Sequence, residues 1–328
     1  MTPVSMSVVI CAYTRDRWDH LQAAVQSVFT QDHRATEIAV VIDYCPQLEA
    51  MAAEAFAPHG VRVISNAAKQ GLSGARNTGI LQATGDVLVF LDDDAVAQPG
   101  WLAAHARHHG DPDVLGVAGR VVPQWEDAAP AWFPPEFGWV VGCSYVGQPT
   151  ATAEIRNPIG ANMSFRRSVL EAVGGFSHSL GRVGTTPRGC EETELAIRAA
   201  SAFPDGRILY DPDAVVHHHV PVSRTSWSYF RRRCWFEGLS KADVSRLTGP
   251  RRALATERSY VTRTLPTAVR RDVAEAGRKL TSAPLLRAAA ICAGVTITTA
   301  GYATAQVRQP RRSSRRRVAA VTLGGGAG

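Results

Sequence analysis

Residues 87–94 read Val-Leu-Val-Phe-Leu-Asp-Asp-Asp, five apolar residues running straight into three carboxylates after the turn Thr84-Gly85-Asp86. An unbroken apolar run of this length suits a strand covered on both faces, as in a parallel sheet, rather than one with a solvated side. Sheets of that kind bind ligands just beyond the carboxyl ends of their strands. Three adjacent acids repel one another, so a half-buried strand end keeps them most readily beside a cation, such as a hard divalent ion carrying a diphosphate. The ordinary alternative is a solvated acidic turn after a core strand.

The first hundred residues repeat the same punctuation. Strands are expected at 8–12, 37–43 and 61–64, and helices at 21–29 and 48–56. The run Gly71-Leu72-Ser73-Gly74-Ala75-Arg76-Asn77-Thr78-Gly79 opens another helix before the acidic strand. Strand and helix in alternation predict an α/β fold with a parallel, doubly wound sheet. From 110 to 158 the pattern shifts to short strands, such as 115–122, and a Trp- and Pro-rich stretch from 125 to 139 that reads as a loop or lid. A strand and a helix at 168–173 follow, stopped by Gly174-Gly175. Next come a glycine-bearing loop at 181–189, a helix whose first turn holds Glu191, Glu192 and Glu194, and a last strand at 208–218 running into His217, His218 and His219.

Charge divides the chain more sharply than its total of +7 suggests. Residues 1–220 hold 15 Lys+Arg against 24 Asp+Glu (−9), and residues 221–328 hold 21 against 5 (+16). A basic tail on an acidic body reads as a contact for an anionic surface, membrane phospholipid before nucleic acid. No aromatic residue interleaves with the cluster Arg311-Arg312-Ser313-Ser314-Arg315-Arg316-Arg317, so base stacking has little support; a solubilising tail is the plain alternative. The stretch 226–242 sets Trp227, Tyr229, Phe230, Trp235 and Phe236 among basic residues and resembles an interfacial helix. Residues 288–305 carry no charge over 18 positions but are rich in Ala, Thr and Gly, which leaves a membrane span, a re-entrant pair and a buried helix all open. Six well-separated cysteines form no paired metal motif and suit a reducing compartment. The start of the chain has a strand pattern rather than a signal peptide, so the catalytic part is expected in the cytoplasm.

Asp43, Arg76-Asn77, Asp92-Asp93-Asp94 and Glu191-Glu192 all fall at strand ends or helix starts, which one edge of the sheet would bring together. Here the chain resembles the family 2 glycosyltransferases of the GT-A fold. The matching residues are Val8-Val9-Ile10-Cys11-Ala12-Tyr13-Thr14-Arg15, Val41-Ile42-Asp43, Gly74-Ala75-Arg76-Asn77-Thr78-Gly79, Phe90-Leu91-Asp92-Asp93-Asp94, Gly160-Ala161-Asn162-Met163-Ser164-Phe165-Arg166, Gly174-Gly175-Phe176 and Glu191-Glu192-Thr193-Glu194-Leu195. Each motif is weak alone; their order and spacing over about residues 7–220 are jointly specific.

The resemblance implies transfer of a sugar from a nucleoside diphosphate sugar, UDP-linked by inference, with inversion at the anomeric carbon. It also implies a bound Mn2+ or Mg2+ to stabilise the departing diphosphate. Asp94 would ligate the metal, Asp92 would reach it or the ribose, and Asp93 would be the variable middle residue of an Asp-x-Asp pair. His218, after Pro212-Asp213-Ala214, would be a third ligand, with His217 and His219 open by counting. Glu192 falls where the family's general base lies, although the usual aspartate is a glutamate here, and Glu191 is the fallback. Asp43 would accept a hydrogen bond from the nucleotide base or else cap the next helix. Ala12, Tyr13 and Arg15 would line the donor, Arg76 would put charge near it, and Asn157, Gly160 and Asn162 would border donor sugar and acceptor.

A narrower resemblance, carried by residues 189–194 and 231–242, is to transferases acting on lipid-linked sugars, such as glucuronosyl transfer to glucosyl dolichyl phosphate. The expected organisation is a GT-A domain at 1–220, a basic helical membrane-associating region at 221–307 and a disordered basic tail at 308–328. The expected partners are a nucleotide-sugar donor, a glycan or lipid-linked acceptor and the anionic cytoplasmic face of the cell membrane, with no nucleic acid. A nucleotidyltransferase would need a glycine-rich loop after the first strand, which Tyr13-Thr14-Arg15-Asp16-Arg17 lacks. A silent scaffold of the same fold would lack the aspartates or the base, and both are present.

Overall fold

A computed structural model describes residues 4–181, 189–250 and 255–307. The basic cluster at 311–317, the tail at 308–328 and most of the 181–189 loop lie outside the described residues. The amino-terminal half runs β1 (Met6–Ala12), α1 (Trp18–Phe29), β2 (Glu37–Ile42), α2 (Pro46–Phe56), β3 (Arg62–Ser65), α3 (Leu72–Gln82) and β4 (Val87–Asp92). The chain continues through β5 (Ala95–Ala97), α4 (Trp101–His108), β6 (Val114–Trp125), β7 (Ala153–Glu154), β8 (Asn162–Arg166), α5 (Arg167–Val173), α6 (Glu191–Ala202) and β9 (Arg207–Val220). Among the described residues it closes with α7 (Trp227–Thr248), α8 (Ala255–Ser259), α9 (Leu265–Lys279) and α10 (Ala283–Val307).

Among the described residues the nine strands form one sheet in the order β3-β2-β1-β4-β8-β6-β9-β5, with β7 on β9. The β3-β2-β1-β4 half is parallel, as the alternation of strand and helix predicts. Beyond β4 the sheet is mixed: β8 runs antiparallel to β4 and β6, while β6 and β9 are parallel. Alternate residues of β4 enter opposite cores, Val87, Val89 and Leu91 on one side and Leu88 and Phe90 on the other. Burial on both faces is what its continuous apolar run requires. The parallel strands therefore deliver Ala12, Asp43 and Asp92 to one edge.

Two expectations change in the carboxyl-terminal half. The stretch at 125–139 is exposed loop at 126–129, but Phe133 and Phe137 are buried, so its second half packs as a wall rather than a free lid. Likewise α7 is no interfacial helix along its length. Phe230 and Cys234 are fully buried, and Phe230 joins an aromatic cluster with Trp132, Phe133, Phe137 and Trp227. Trp227 and Phe230 pack against the Trp-rich wall, a partner that no local pattern reveals. Glycines let α10 lie close on α7: a side chain at Gly238 would run into the carbonyl of Thr298, and one at Gly301 would lie 2.5 Å from the carbonyl of Trp235. α10 is 25 residues long, apolar enough to cross a membrane by length and composition, and its most apolar window is 28% buried.

Candidate active site

A cavity of about 1690 Å³ opens at the carboxyl edge of the parallel strands. Its floor is the acidic turn. β5 pairs antiparallel with β9, setting Ala95 opposite His218, and the backbone N–H of His219 donates to the Asp94 carbonyl at 2.8 Å. This pairing bends the chain back after β4 and puts the Asp94 carboxylate 3.2 Å from His218 Nε2. Side chains alternate along a strand, so His217 and His219 point away from the face that His218 uses. His219 stacks on His20, with ring centroids 4.1 Å apart.

One ligand atom each from Asp92, Asp94 and His218 lies within 4.8 Å of the others. Two carboxylates and an imidazole, clustered to this degree, form a donor set that a divalent cation fits, Mn2+ more readily than Mg2+ because of the nitrogen. Burial opposes ionisation of Asp94, but His218, Arg17 and Arg224 hold its carboxyl below the usual carboxylate range. Burial likewise disfavours the His218 imidazolium, yet Asp94 beside it raises its pKa to about 10. Asp93 is not a solvated spacer. It is 4% exposed and accepts from Arg17 Nη1 at 2.8 Å, while its Oδ2 has no partner. Burial, opposed by Arg17 and reinforced by Asp94 and Asp92, pushes its pKa up to about 7.

Opposite the acidic turn, Arg76 is locked between carboxylates. Its Nη1 lies 3.0 Å from Glu191 Oε1, and its Nη2 lies 3.3 Å from Asp92 Oδ1 and 3.1 Å from the Gly160 carbonyl. Gly160 has to be glycine for this, since a Cβ there would lie 2.6 Å from Arg76 Nη2. Arg76 thus positions two acids and has little of its fork left for a donor. Glu191 Oε1 is held by Arg76, and both Glu191 and Glu192, the next residue of α6, keep an Oε2 with no hydrogen-bond partner. Burial first, and then the Glu191 charge, push the pKa of Glu192 well above the usual carboxylate range, with Arg76 opposing. A carboxylate destabilised in this way takes up a proton readily.

The other expected residues divide. Asp43 lines the cavity but does not cap the next helix, α2; it accepts instead from Asn66 Nδ2 at 2.6 Å and from the Gly71 N–H at 3.0 Å, just before α3. Ala12 and Tyr13 line the cavity, and so do Asn157 and Gly160. Arg15 does not; it lies on an exposed turn, and Arg17, two residues on, is the side chain that reaches the aspartates. Asn162 is fully buried away from the cavity. It accepts from Trp101 Nε1, lies 3.0 Å from His105 Nε2, and donates to the carbonyls of Arg120 and Ala214, so it fastens β8 to its neighbours instead of touching a sugar. Arg224 near Asp94 went unforeseen, as did Arg156, Arg233 and Lys241 on the far wall. The four-residue spacing of Arg233, Glu237 and Lys241 on one helix face was the available signal.

The family model for glycosyl transferase family 2 matches residues 7–174, a stretch that includes β1, the Arg76 helix and the three aspartates. The chain belongs to glycosyl transferase family 2. A glucosyl-dolichyl phosphate glucuronosyltransferase of Haloferax volcanii is 32% identical over 240 residues, covering 73% of this chain and 76% of the relative. The succinoglycan biosynthesis protein ExoM of Rhizobium meliloti is 30% identical over 169 residues, about half of each chain. Among solved structures, a mannosyltransferase of Pyrobaculum calidifontis in complex with GDP-Man and Mn2+ superposes with a TM-score of 0.58 at 18% identity, covering 91% of this chain and 88% of that one. GalNAc-T7 with UDP, GalNAc and Mn2+ gives 0.53 at 19% identity, covering 76% of this chain and 54% of the other. The fold is therefore GT-A, the chain is a glycosyltransferase, and its Asp-Asp-His group can bind a divalent metal of the kind present in both structures.

Proposed function

We propose that this family 2 enzyme transfers a sugar from a nucleoside diphosphate sugar, UDP-linked, to a lipid-linked sugar acceptor, with inversion, at the cytoplasmic face of a membrane. The observation that carries the reading is that Asp92, Asp94 and His218 share one cavity with Glu192, a carboxylate with an unpartnered oxygen. A divalent ion held by Asp92, Asp94 and His218 would supply Lewis-acid stabilisation of the leaving diphosphate. Asp43 and Tyr13 border the donor half, with Asp43 offering a carboxylate to the base. Glu192 takes the proton of the attacking hydroxyl, and Arg76 holds Glu191 and Asp92 in place beside it. A single displacement with one general base inverts the anomeric centre.

The acceptor side is formed with α7 and α10, whose Tyr229, Val295, Thr298 and Tyr302 line the same cavity. Residues 1–220 then serve the donor and the chemistry, and the helices after 220 serve the acceptor and the membrane. The similarity to a dolichyl-phosphate-dependent relative and the apolar length of α10 support this division. Thermal-shift screening of the full chain against UDP-, GDP- and dTDP-sugars with Mn2+ tests the donor half. At a hundred times Kd, a true donor stabilises the native state by about 2.7 kcal/mol. Stabilisation by UDP-sugars supports the reading; no response to any nucleotide sugar with Mn2+ would overturn it.

A further inference from the structure

Away from the aspartates, the cavity wall holds a second charged cluster that the chemistry above does not use. Arg233, Glu237 and Lys241 succeed one another at four-residue spacing on α7, and Arg156 faces them from the segment after β7. The carboxylate of Glu257, on the short helix α8, sits among them. Arg156 Nη2 lies 3.0 Å from its Oε1 and 2.8 Å from its Oε2, and Lys241 Nζ lies 2.7 Å from Oε1. Lys241 Nζ also lies 3.2 Å from Glu237 Oε1, and Arg233 Nη2 lies 3.7 Å from Glu237 Oε2. This cluster adjoins the reaction centre: the Cys190 thiol, immediately before Glu191, donates to Glu237 Oε1 at 3.4 Å, and the Gly189 N–H donates to Ser240 Oγ at 3.3 Å.

Setting three cations and two carboxylates into a cavity wall is a costly way to join two helices, since apolar packing usually does as well or better. The composition makes sense as an anion site. Guanidinium and ammonium groups converging on one carboxylate are the donors that also recognise phosphate oxygens. Charge count narrows the ligand. Exchanging the Glu257 carboxylate for another single negative charge leaves the balance of the cluster unchanged, whereas a pyrophosphate would add a further charge. The phosphate joining a sugar to a lipid alcohol is a diester and carries one. The same cavity continues along Val261, Leu265, Val295 and Tyr302, an apolar path that includes the candidate membrane-spanning helix.

We infer that Arg156 and Lys241, with Arg233 behind them on Glu237, form the subsite for the singly charged phosphate of a lipid-linked sugar acceptor, and that Glu257 occupies this subsite as an internal surrogate until the acceptor displaces it. The inference rests on the proposed lipid-linked acceptor and adds which residues read it and what holds the site closed. Entry of the acceptor frees α8 from Arg156 and Lys241, so the wall opens only when its anion is replaced.

The test uses the full chain in detergent with three probes: geranyl glucosyl phosphate, geranyl glucoside without phosphate, and inorganic phosphate. Removing the competing carboxylate in Glu257→Gln is expected to tighten binding of geranyl glucosyl phosphate by about tenfold, because the fraction of molecules with an open site rises. Lys241→Gln and Arg156→Gln are expected to weaken it by a similar factor, with geranyl glucoside bound weakly and alike by all variants. The Tm shift produced by UDP with Mn2+ is measured on every sample as the check on folding and on the donor site. If that shift is present and Glu257→Gln binds the phosphodiester no better than wild type, the surrogate is refuted. If inorganic phosphate or geranyl glucoside binds as tightly as the phosphodiester, the acceptor assignment is refuted. Loss of the UDP response in the wild type would instead undermine the proposed function itself. Should Lys241→Gln fail to fold, Lys241→Arg retains the charge, and its phosphodiester binding must stay within a few-fold of wild type.

Discussion

Replacing Glu192 with glutamine separates the cost of the proposed general base from its use. In the folded protein, burial and the adjacent Glu191 raise the Glu192 pKa well above the ordinary value of 4.5, and one oxygen is left without a partner. A group whose folded pKa is raised contributes stability that is present below the unfolded pKa and lost as pH rises through the folded pKa. The wild type should therefore lose stability as pH climbs from about 4.5 through neutrality, and Glu192→Gln should lose less. The amide keeps the buried polar atoms but not the charge that burial and Glu191 disfavour, and the penalty relieved is about 1–3 kcal/mol. At about 2 °C per kcal/mol for a chain of this size, the variant should melt about 2–6 °C above wild type at pH 8 and close to it at pH 4.5. Transfer should fall by about 100-fold to 10,000-fold, the range a general base contributes. Differential scanning calorimetry across pH, without nucleotide or metal, together with initial rates measures both. A variant that melts below wild type at pH 8, or that keeps more than a tenth of the transfer rate, refutes the assignment.

Three further outcomes follow from the same geometry. Asp94→Ala should cut transfer by at least about 100-fold and abolish the Mn2+-dependent part of UDP binding, read by isothermal titration with and without EDTA; full activity in excess EDTA would sink the metal mechanism. Arg76→Met leaves Glu191 buried without its partner and should lower unfolding free energy by about 3–5 kcal/mol, measured by urea denaturation at pH 8, and a loss below 1 kcal/mol would mean that Arg76 is not the anchor of the site. Leu285 and Leu286 are half exposed at the start of α10, and changing both to Glu should weaken co-sedimentation with anionic lipid vesicles by more than tenfold while the UDP-induced Tm shift persists; unchanged sedimentation would defeat membrane contact through this end of α10.

Much of the site was legible because its residues sit where local pattern changes abruptly. The apolar run of β4 had to be buried on both faces, so the aspartates after it had to lie at the ligand-binding edge of the sheet. The acidic first turn of α6 and the polar turn after β1 were visible in the same way. Asn162 misled because a polar residue beside a glycine motif looks identical in sequence whether it meets a sugar or a neighbouring strand. Its four partners come from three distant elements. Arg15 and Arg17 differ only in which way a single turn faces, and that is decided by the buried aspartates Arg17 reaches.

By itself, then, the amino-acid sequence determined which strands are buried, the edge at which carboxylates gather and the family to which the chain belongs, because those follow from short-range periodicity and fixed spacing. Only the tertiary structure decided which histidine joins the aspartates. The three consecutive histidines are equivalent by counting, but the register of β9 against β6 shifts between Gly119 and Arg120, skipping residues 212–214, and the pairing of His218 with Ala95 brings that one imidazole to Asp94. The same holds for Glu191 and Glu192, adjacent and chemically alike until Arg76, 115 residues from Glu191, pairs with Glu191 Oε1. Proximity across such distances is a product of packing, and packing fixes the charge and hydrogen-bond partners from which each side chain takes its role.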